Sequence, residues 1–238
     1  MAAASDMEAA ATALGLCRWL DGHGTDLRAM LLAMGRVHKF SRGQWASAEG
    51  DESGGIFVVV QGTFQLYSQT IGDREVLLTQ FTRGSAFGQS VRFGGGPRLV
   101  TAISLGDGLL FQADDGVLAR IAQSEPLIWR AIASLQYAQL RRMIQVIAEF
   151  MVLPPRQRLA ARLIQLVSDD PEGQTVLRLT QHDLADMTGL SRKTVNACLS
   201  DLEGRRLIRR DYGSIEVADL PGLHAYAAMP ARSLDRHG

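Results

Sequence analysis

The 238-residue sequence predicts an α+β chain: an antiparallel β-barrel of the double-stranded β-helix (jelly-roll) type, a long helix, and a C-terminal winged helix-turn-helix. Three observations predict it. Between residues 37 and 115, short apolar runs alternate with glycine-rich turns, as in barrels and sandwiches. From Glu125-Pro126 to Leu153 neither glycine nor proline interrupts a helical pattern until Pro154-Pro155 ends it. Residues 179–202 then read as two capped helices separated by a glycine turn.

Residues 1–36 form a helical extension, with short helices expected over 6–20 and 25–35 and broken at Gly22 and Gly24. The barrel, residues 37–124, is carried by the runs Ile56–Val60, Phe64–Tyr67, Glu75–Leu78, Leu99–Ile103 and Gly108–Phe111. The glycines between them, such as Gly54-Gly55, Gly62, Gly72, Gly84, Gly88 and Gly94-Gly95-Gly96, supply the positive φ of tight turns. Asp114-Asp115 and Asp169-Asp170 sit beside glycine or proline and read as turns.

The helix over 125–153, opened by Pro126 at its first position, is about 26 residues or about 40 Å long. Leu140, Ile144, Ile147 and Met151 recur on one face; Met143, Val146 and Phe150 make an adjoining stripe. Two stripes need two partners, and the expectation is the barrel for one and a second copy of the helix for the other. The domain hinge is expected at Leu153–Arg156, and residues 154–238 form the last domain.

Thr180 is placed to cap a first short helix, Gln181–Thr188, with Asp183 completing a capping box. Gly189 supplies the left-handed turn, and Ser191 caps a second helix. In it Val195, Leu199 and Leu202 share an inward face with Cys198, so Arg192, Lys193 and Asn196 point outward. Such a helix presents side chains to base edges in the major groove, where Arg pairs with guanine and Asn with adenine. Ser191, Thr194 and the helix N-terminus are placed for phosphates, and Thr180 and Gln181 are also expected at the DNA. Arg205, Arg206, Arg209 and Arg210, four arginines in six residues, then lead into two short strands about Gly213, a basic wing in which Arg209 and Arg210 are expected on the DNA backbone.

Other chemistries find little footing. The formal charge is zero, with 13 basic and 14 acidic side chains in residues 1–150 and 12 and 11 beyond, so the DNA reading rests on the motif and not on bulk charge. The five histidines, His23, His38, His182, His224 and His237, leave residues 41–115 without one, which argues against a metal-dependent barrel enzyme. The two cysteines, Cys17 and Cys198, cannot ligate an iron–sulfur cluster, form no CxxC pair and suit a reducing cytoplasm. No GxxxxGK[ST] or GxSxG motif occurs, the acidic N-terminus does not read as a signal peptide, and no apolar run suggests a membrane span. Expected catalytic and metal residues are therefore none.

In these motifs the chain resembles the cyclic-AMP receptor/FNR (CRP/FNR) family over about residues 37–225. SRKTV followed by LSDLEGRRLI is similar to the family's recognition helix and the start of its wing; AEGDESGGIFVVVQG and RGSAFGQ resemble turns of its cyclic-nucleotide-binding barrel; LPPRQRLAARL resembles its hinge. The resemblance implies a homodimer on a two-fold-related promoter site that contacts RNA polymerase, with Leu140, Ile144, Ile147 and Met151 at the dimer interface. It also implies an effector site at Gly88, Gln89, Arg98, Leu99, Met143 and Ile144. There the chain departs from the nucleotide-binding pattern. Gln89 replaces a glutamate, Leu99 replaces a serine, and Met143 and Ile144 stand where a Thr-Ser pair would meet the purine. Only Arg98 keeps its charge, so an effector other than cyclic AMP is expected. A regulator independent of any effector and a ligand-binding or enzymatic barrel with an accessory DNA domain are the alternatives. At the DNA, Lys193 and Ala197 also depart from the family's Glu and second Arg, so the family's half-site is not expected to carry over.

Overall fold

The structure is a computed structural model that describes residues 2–23, 26–52, 54–88 and 96–229. The chain divides into two compact units, residues 1–141 with 170–172, and residues 142–169 with 173–238.

The first unit opens with α1 (Ala2–Gly15), a 3-10 turn (Arg18–Leu20) and α2 (Asp26–Met34). Eight strands come next among the described residues: β1 (Arg36–Phe40), β2 (Trp45–Ser47), β3 (Ile56–Gln61), β4 (Phe64–Gln69), β5 (Glu75–Phe81), β6 (Ala86–Phe87), β7 (Thr101–Ser104) and β8 (Gly108–Ala113). They pair antiparallel into two four-stranded sheets, β1-β8-β3-β6 and β2-β7-β4-β5, the two faces of the barrel. Every apolar run read from the sequence carries a strand. β1, β2 and β6 were not expected individually: β1 (RVHKF) is largely polar and exposed, and the other two are three and two residues long. Asp114-Asp115 is not a turn; Asp114 caps α3 (Asp115–Ser124) by accepting from the Val117 N–H.

β3 is the strand on which the unit is built. Its side chains alternate, as any strand's do. Ile56, Val58 and Val60 join a core with Leu14, Leu20, Leu118 and Ile121, the N-terminal helices and α3. Phe57 and Val59 join the barrel interior with Phe64, Leu66, Phe87, Ala102 and Leu110. A strand covered on both faces reads as a continuous apolar run, which is why IFVVV lacks alternation in its sequence. Each such side chain contributes about 1.5–3 kcal/mol on burial.

The long helix α4 (Leu127–Val152) is 26 residues, as expected, and starts just after Pro126. The first half packs on the barrel-side core through Ile128, Ala131, Ile132 and Leu135, and the Gln139 amide donates to the Ala86 carbonyl at 3.0 Å. In the adjoining stripe Met143 is exposed, and Phe150 packs within the second unit against Arg158 and Gly189.

The second unit continues with α5 (Pro155–Ser168), β9 (Val176–Leu177), α6 (Gln181–Thr188), α7 (Arg192–Gly204), β10 (Ile208–Asp211), β11 (Ser214–Val217) and α8 (Leu220–Ala227). The strands form a sheet in the order β10-β11-β9. Pro154-Pro155 ends the long helix as read from the sequence, and Pro155 starts α5, where a missing N–H costs nothing. The boundary between compact units falls earlier than Leu153–Arg156, between Arg141 and Arg142. From Arg142 onward the long helix is tied to α5 and its C-terminal end: Arg142 pairs with Asp169 at 2.8 Å, and the buried Arg162 faces Asp169 and Glu149. Burial lowers the Arg162 pKa to about 10, against the pull of those carboxylates.

α8 was not read from the sequence. Tyr226 on it is buried and donates to Asp201 of α7 at 2.6 Å, while Arg205 pairs with Asp201 at 3.1 Å and lies over the Tyr226 ring. Burial opposes the Asp201 charge, but the bonds from Tyr226 and Arg205 hold it below the usual carboxylate range. This cluster fixes the C-terminal end of α7.

Candidate nucleic-acid interface

The two helices of the motif are set by their caps. Thr180 Oγ1 accepts from Asp183 N at 3.1 Å while Asp183 Oδ2 accepts from Thr180 N at 2.8 Å, the reciprocal capping box. Gly189 ends α6 in the left-handed conformation, φ 63°, which a side chain would strain. Ser191 Oγ accepts from Thr194 N at 3.1 Å and lies 2.8 Å from the Thr194 hydroxyl. Thr180 and Ser191 thus hold the helix starts. Each cap uses the hydroxyl oxygen as acceptor.

The caps orient α7. Val195, Cys198, Leu199 and Leu202 are buried, and Arg192, Lys193 and Asn196 are exposed. Arg192 and Lys193 have no ion pair among the described residues. Burial raises the Cys198 pKa, against the pull of Arg156, which keeps it a core thiol. The spacing read from the sequence therefore places the polar residues on one outward face, at the end that a recognition helix presents to DNA.

The wing is β10–β11, with Arg210 opposite Ile215 and Arg209 opposite Glu216. Arg209 is 74% exposed and pairs with Glu216 at 3.3 Å, a surface pair that leaves it able to reach a phosphate. Arg210 is placed differently from the expectation. Its Nε and Nη2 donate to Glu203 Oε2 at 2.8 and 2.5 Å, its backbone N–H donates to Glu203 Oε1, and its Nη1 donates to Asn196 Oδ1 at 3.2 Å. Gln181 Nε2 donates to the same Asn196 oxygen at 3.2 Å. Sequence reading missed Tyr212, which projects fully exposed from the wing tip beside Gly213; an aromatic in a four-residue turn was the available signal.

In the barrel, the structure brings Gly88 and Arg98 together. Arg98 is 4% exposed, lies over the Phe57 ring at 5.0 Å, and donates from Nη1 to the Gly88 carbonyl at 3.2 Å. Its Nε is buried with no hydrogen-bond partner among the described residues. Burial lowers its pKa, with Asp51 and Asp115 opposing. Gly88 has φ 95°, and a Cβ there would meet Arg98 Nη1 at 2.7 Å. Leu99 is exposed, and Gln89, with Gly94 and Gly95, lies outside the described residues. On the long helix Leu140, Met143, Ile144, Ile147 and Met151 are 55%, 60%, 58%, 57% and 81% exposed in the single chain. The described residues contain no group of three or more His, Cys, Asp or Glu placed to hold a metal ion, and no helix long and apolar enough to cross a membrane.

A barrel of this topology and a capped helix-turn-helix with a wing define a DNA-binding transcription regulator with a cyclic-nucleotide-binding-type domain. The family models agree: residues 37–125 match the cyclic nucleotide-binding domain and residues 157–226 the Crp-like helix-turn-helix domain. The chain belongs to the CRP/FNR family of transcription regulators. It is 28% identical over 185 residues, 76% of this chain and 83% of the relative, to a CRP-like cAMP-activated global transcriptional regulator of Mycobacterium tuberculosis. It is 26% identical over 172 residues, 72% of this chain and 78% of the relative, to the cyclic AMP receptor protein of Thermus thermophilus. The fold is also that of FixK2 from Bradyrhizobium japonicum, with a TM-score of 0.70 at 17% identity over 83% of this chain and 99% of that one.

Proposed function

We propose that the protein acts in the cytoplasm as a homodimer on a two-fold-related promoter site, recruits or blocks RNA polymerase there, and is gated by an anionic small molecule other than cyclic AMP. The observation that carries the DNA part is the division of α7: Val195, Leu199 and Leu202 buried, Arg192, Lys193 and Asn196 exposed. Arg192, Lys193 and Asn196 read bases; Gln181, Thr180, Ser191, Thr194 and Arg209 hold phosphates. The dimer rests on the exposed apolar stripe of Leu140, Ile144, Ile147 and Met151, which water disfavours and a second long helix covers. Two such recognition helices would sit one DNA turn apart, about 34 Å.

The gating part rests on Arg98. A buried guanidinium whose Nε has no partner among the described residues suits an anion. Two relatives are named for cyclic AMP. Here, however, Leu99 carries no hydroxyl, and Met143 and Ile144 cannot hydrogen-bond a purine, so a nucleotide-shaped site would lose its discrimination.

In-vitro selection of duplex DNA by the full chain, alone and with the low-molecular-weight fraction of a cell extract, tests this. A palindromic site bound more tightly with the extract and unchanged by cyclic AMP is expected. Failure to enrich any sequence in either condition would remove the regulator reading. Equal binding with and without extract would make the chain effector-independent.

A further inference from the structure

We infer that Arg210 is a positioning residue that makes Asn196 a hydrogen-bond donor only, so that this position of the site reads guanine or thymine and rejects adenine. The inference rests on the proposed base reading by Asn196. It reverses the adenine preference that the residue type suggests.

An asparagine reads adenine by two bonds, accepting from N6 through Oδ1 and donating to N7 through Nδ2. Both must be available together. Asn196 Oδ1 already accepts from Gln181 Nε2 and from Arg210 Nη1, each at 3.2 Å. An amide oxygen has two lone pairs, and both are taken. A guanidinium only donates, so the atom that faces Arg210 is the oxygen, and Nδ2 is the atom left outward.

Arg210 is itself held. Glu203, two turns further along the same helix as Asn196, takes its Nε and Nη2 on one carboxylate oxygen and its backbone N–H on the other. Glu203 is held below the usual carboxylate range by these bonds, so it stays charged and the clamp stays closed at neutral pH. The chain Glu203–Arg210–Asn196–Gln181 therefore runs from recognition helix to wing, back to the recognition helix, and on to the first helix of the motif. It sets the Asn196 amide before DNA arrives. An outward NH₂ finds two acceptors on guanine, N7 and O6, and O4 on thymine; on adenine it can still reach N7, but the N6 amino group is left facing a donor with no acceptor, so the two-bond reading of adenine is lost.

The test is in-vitro selection by full-length wild type, N196A, R210M and E203Q, each alone and with the low-molecular-weight extract fraction. The position whose preference flattens in N196A is the one Asn196 reads. Wild type should select guanine or thymine there, with adenine depleted at least tenfold. R210M frees one lone pair on Oδ1, and adenine should rise several-fold at that position alone. E203Q, which keeps the arginine charge and weakens the clamp, should shift it the same way by less. Adenine selected by wild type would overturn the inference, as would no position changing in N196A. Uniformly weaker binding by R210M and E203Q with base preference unchanged would make Arg210 a phosphate contact and overturn it too. Wild type enriching no sequence in either condition would instead remove the DNA-reading role itself, and this inference with it.

Discussion

The guanidinium of Arg158 lies over the ring of Phe150, 4.9 Å from its centroid, and directs its two Nη groups to two helix ends. Nη2 donates to the Leu153 carbonyl at 3.2 Å, just past the end of the long helix, and Nη1 to the Thr188 carbonyl at 3.3 Å, at the end of α6. Carbonyls at helix C-termini lack intrahelical donors, so one side chain satisfies two of them and binds the long helix to the turn of the DNA-binding motif. On the other side of that turn, a Cβ at Gly189 would meet the Phe150 ring at 3.1 Å.

Gly189→Ala should therefore weaken the second unit twice over, through its positive φ and through contact with Phe150. A loss of about 1–2 kcal/mol in chemical denaturation is expected from the backbone alone. Gly189→Asn, which tolerates that conformation better, should cost less unless the contact with the ring dominates.

Placing a charge in the exposed apolar stripe should separate the proposed dimer. Ile144→Asp with Ile147→Asp should sediment as a folded monomer with unchanged helical content and lose cooperative binding to a two-fold site. A dimer that survives both changes would place the interface elsewhere.

Arg192→Ala should cost about 1–3 kcal/mol on the selected site and relax one base pair. Arg209→Ala should weaken all sequences alike and lower the slope of binding against salt by about one ion. Mobility shifts on matched and scrambled duplexes at two salt concentrations distinguish the two behaviours.

Cys17 gives a pH prediction. Burial raises its thiol to about 12, and the thiol donates to the Gly84 carbonyl at 3.3 Å. The unfolded chain ionises it near the ordinary value of 9.0. A folded pKa above the unfolded one means a contribution that is complete below pH 9 and shrinks as pH rises towards 12. Over that window stability should fall by up to about 1.4 kcal/mol per pH unit from this group. Cys17→Ala should flatten the slope, and the native thiol should resist alkylation at pH 8.

How much the sequence disclosed depended on the kind of signal. Capped helices and a turn glycine are local, so Thr180, Gly189 and Ser191 stand where the pattern puts them. The outward face of α7 followed from spacing alone. β1 and β2 were missed because their residues neither alternate cleanly nor run apolar, and α8 because its anchor is the distant Asp201–Tyr226 bond. Arg210 reads as a free cation for the same reason: its partner, Glu203, lies seven residues away across the helix-to-strand connection, and no local pattern shows that the two meet. Arg98, beside a glycine-proline turn, shared an expected site with Gly88 by resemblance alone, and no local pattern shows that the Phe57 ring and the Gly88 carbonyl enclose it.

The two-sided burial of β3 has a consequence for handling the protein. A strand with one wet face can lose its neighbours and still be tolerated by solvent, whereas Ile56–Val60 has no side that water accepts. Whenever the first unit opens, five consecutive β-prone, uncharged side chains are released together, the pattern from which intermolecular sheets grow. Refolding yield should therefore drop with rising protein concentration, and the material lost should carry this segment in its protease-resistant part.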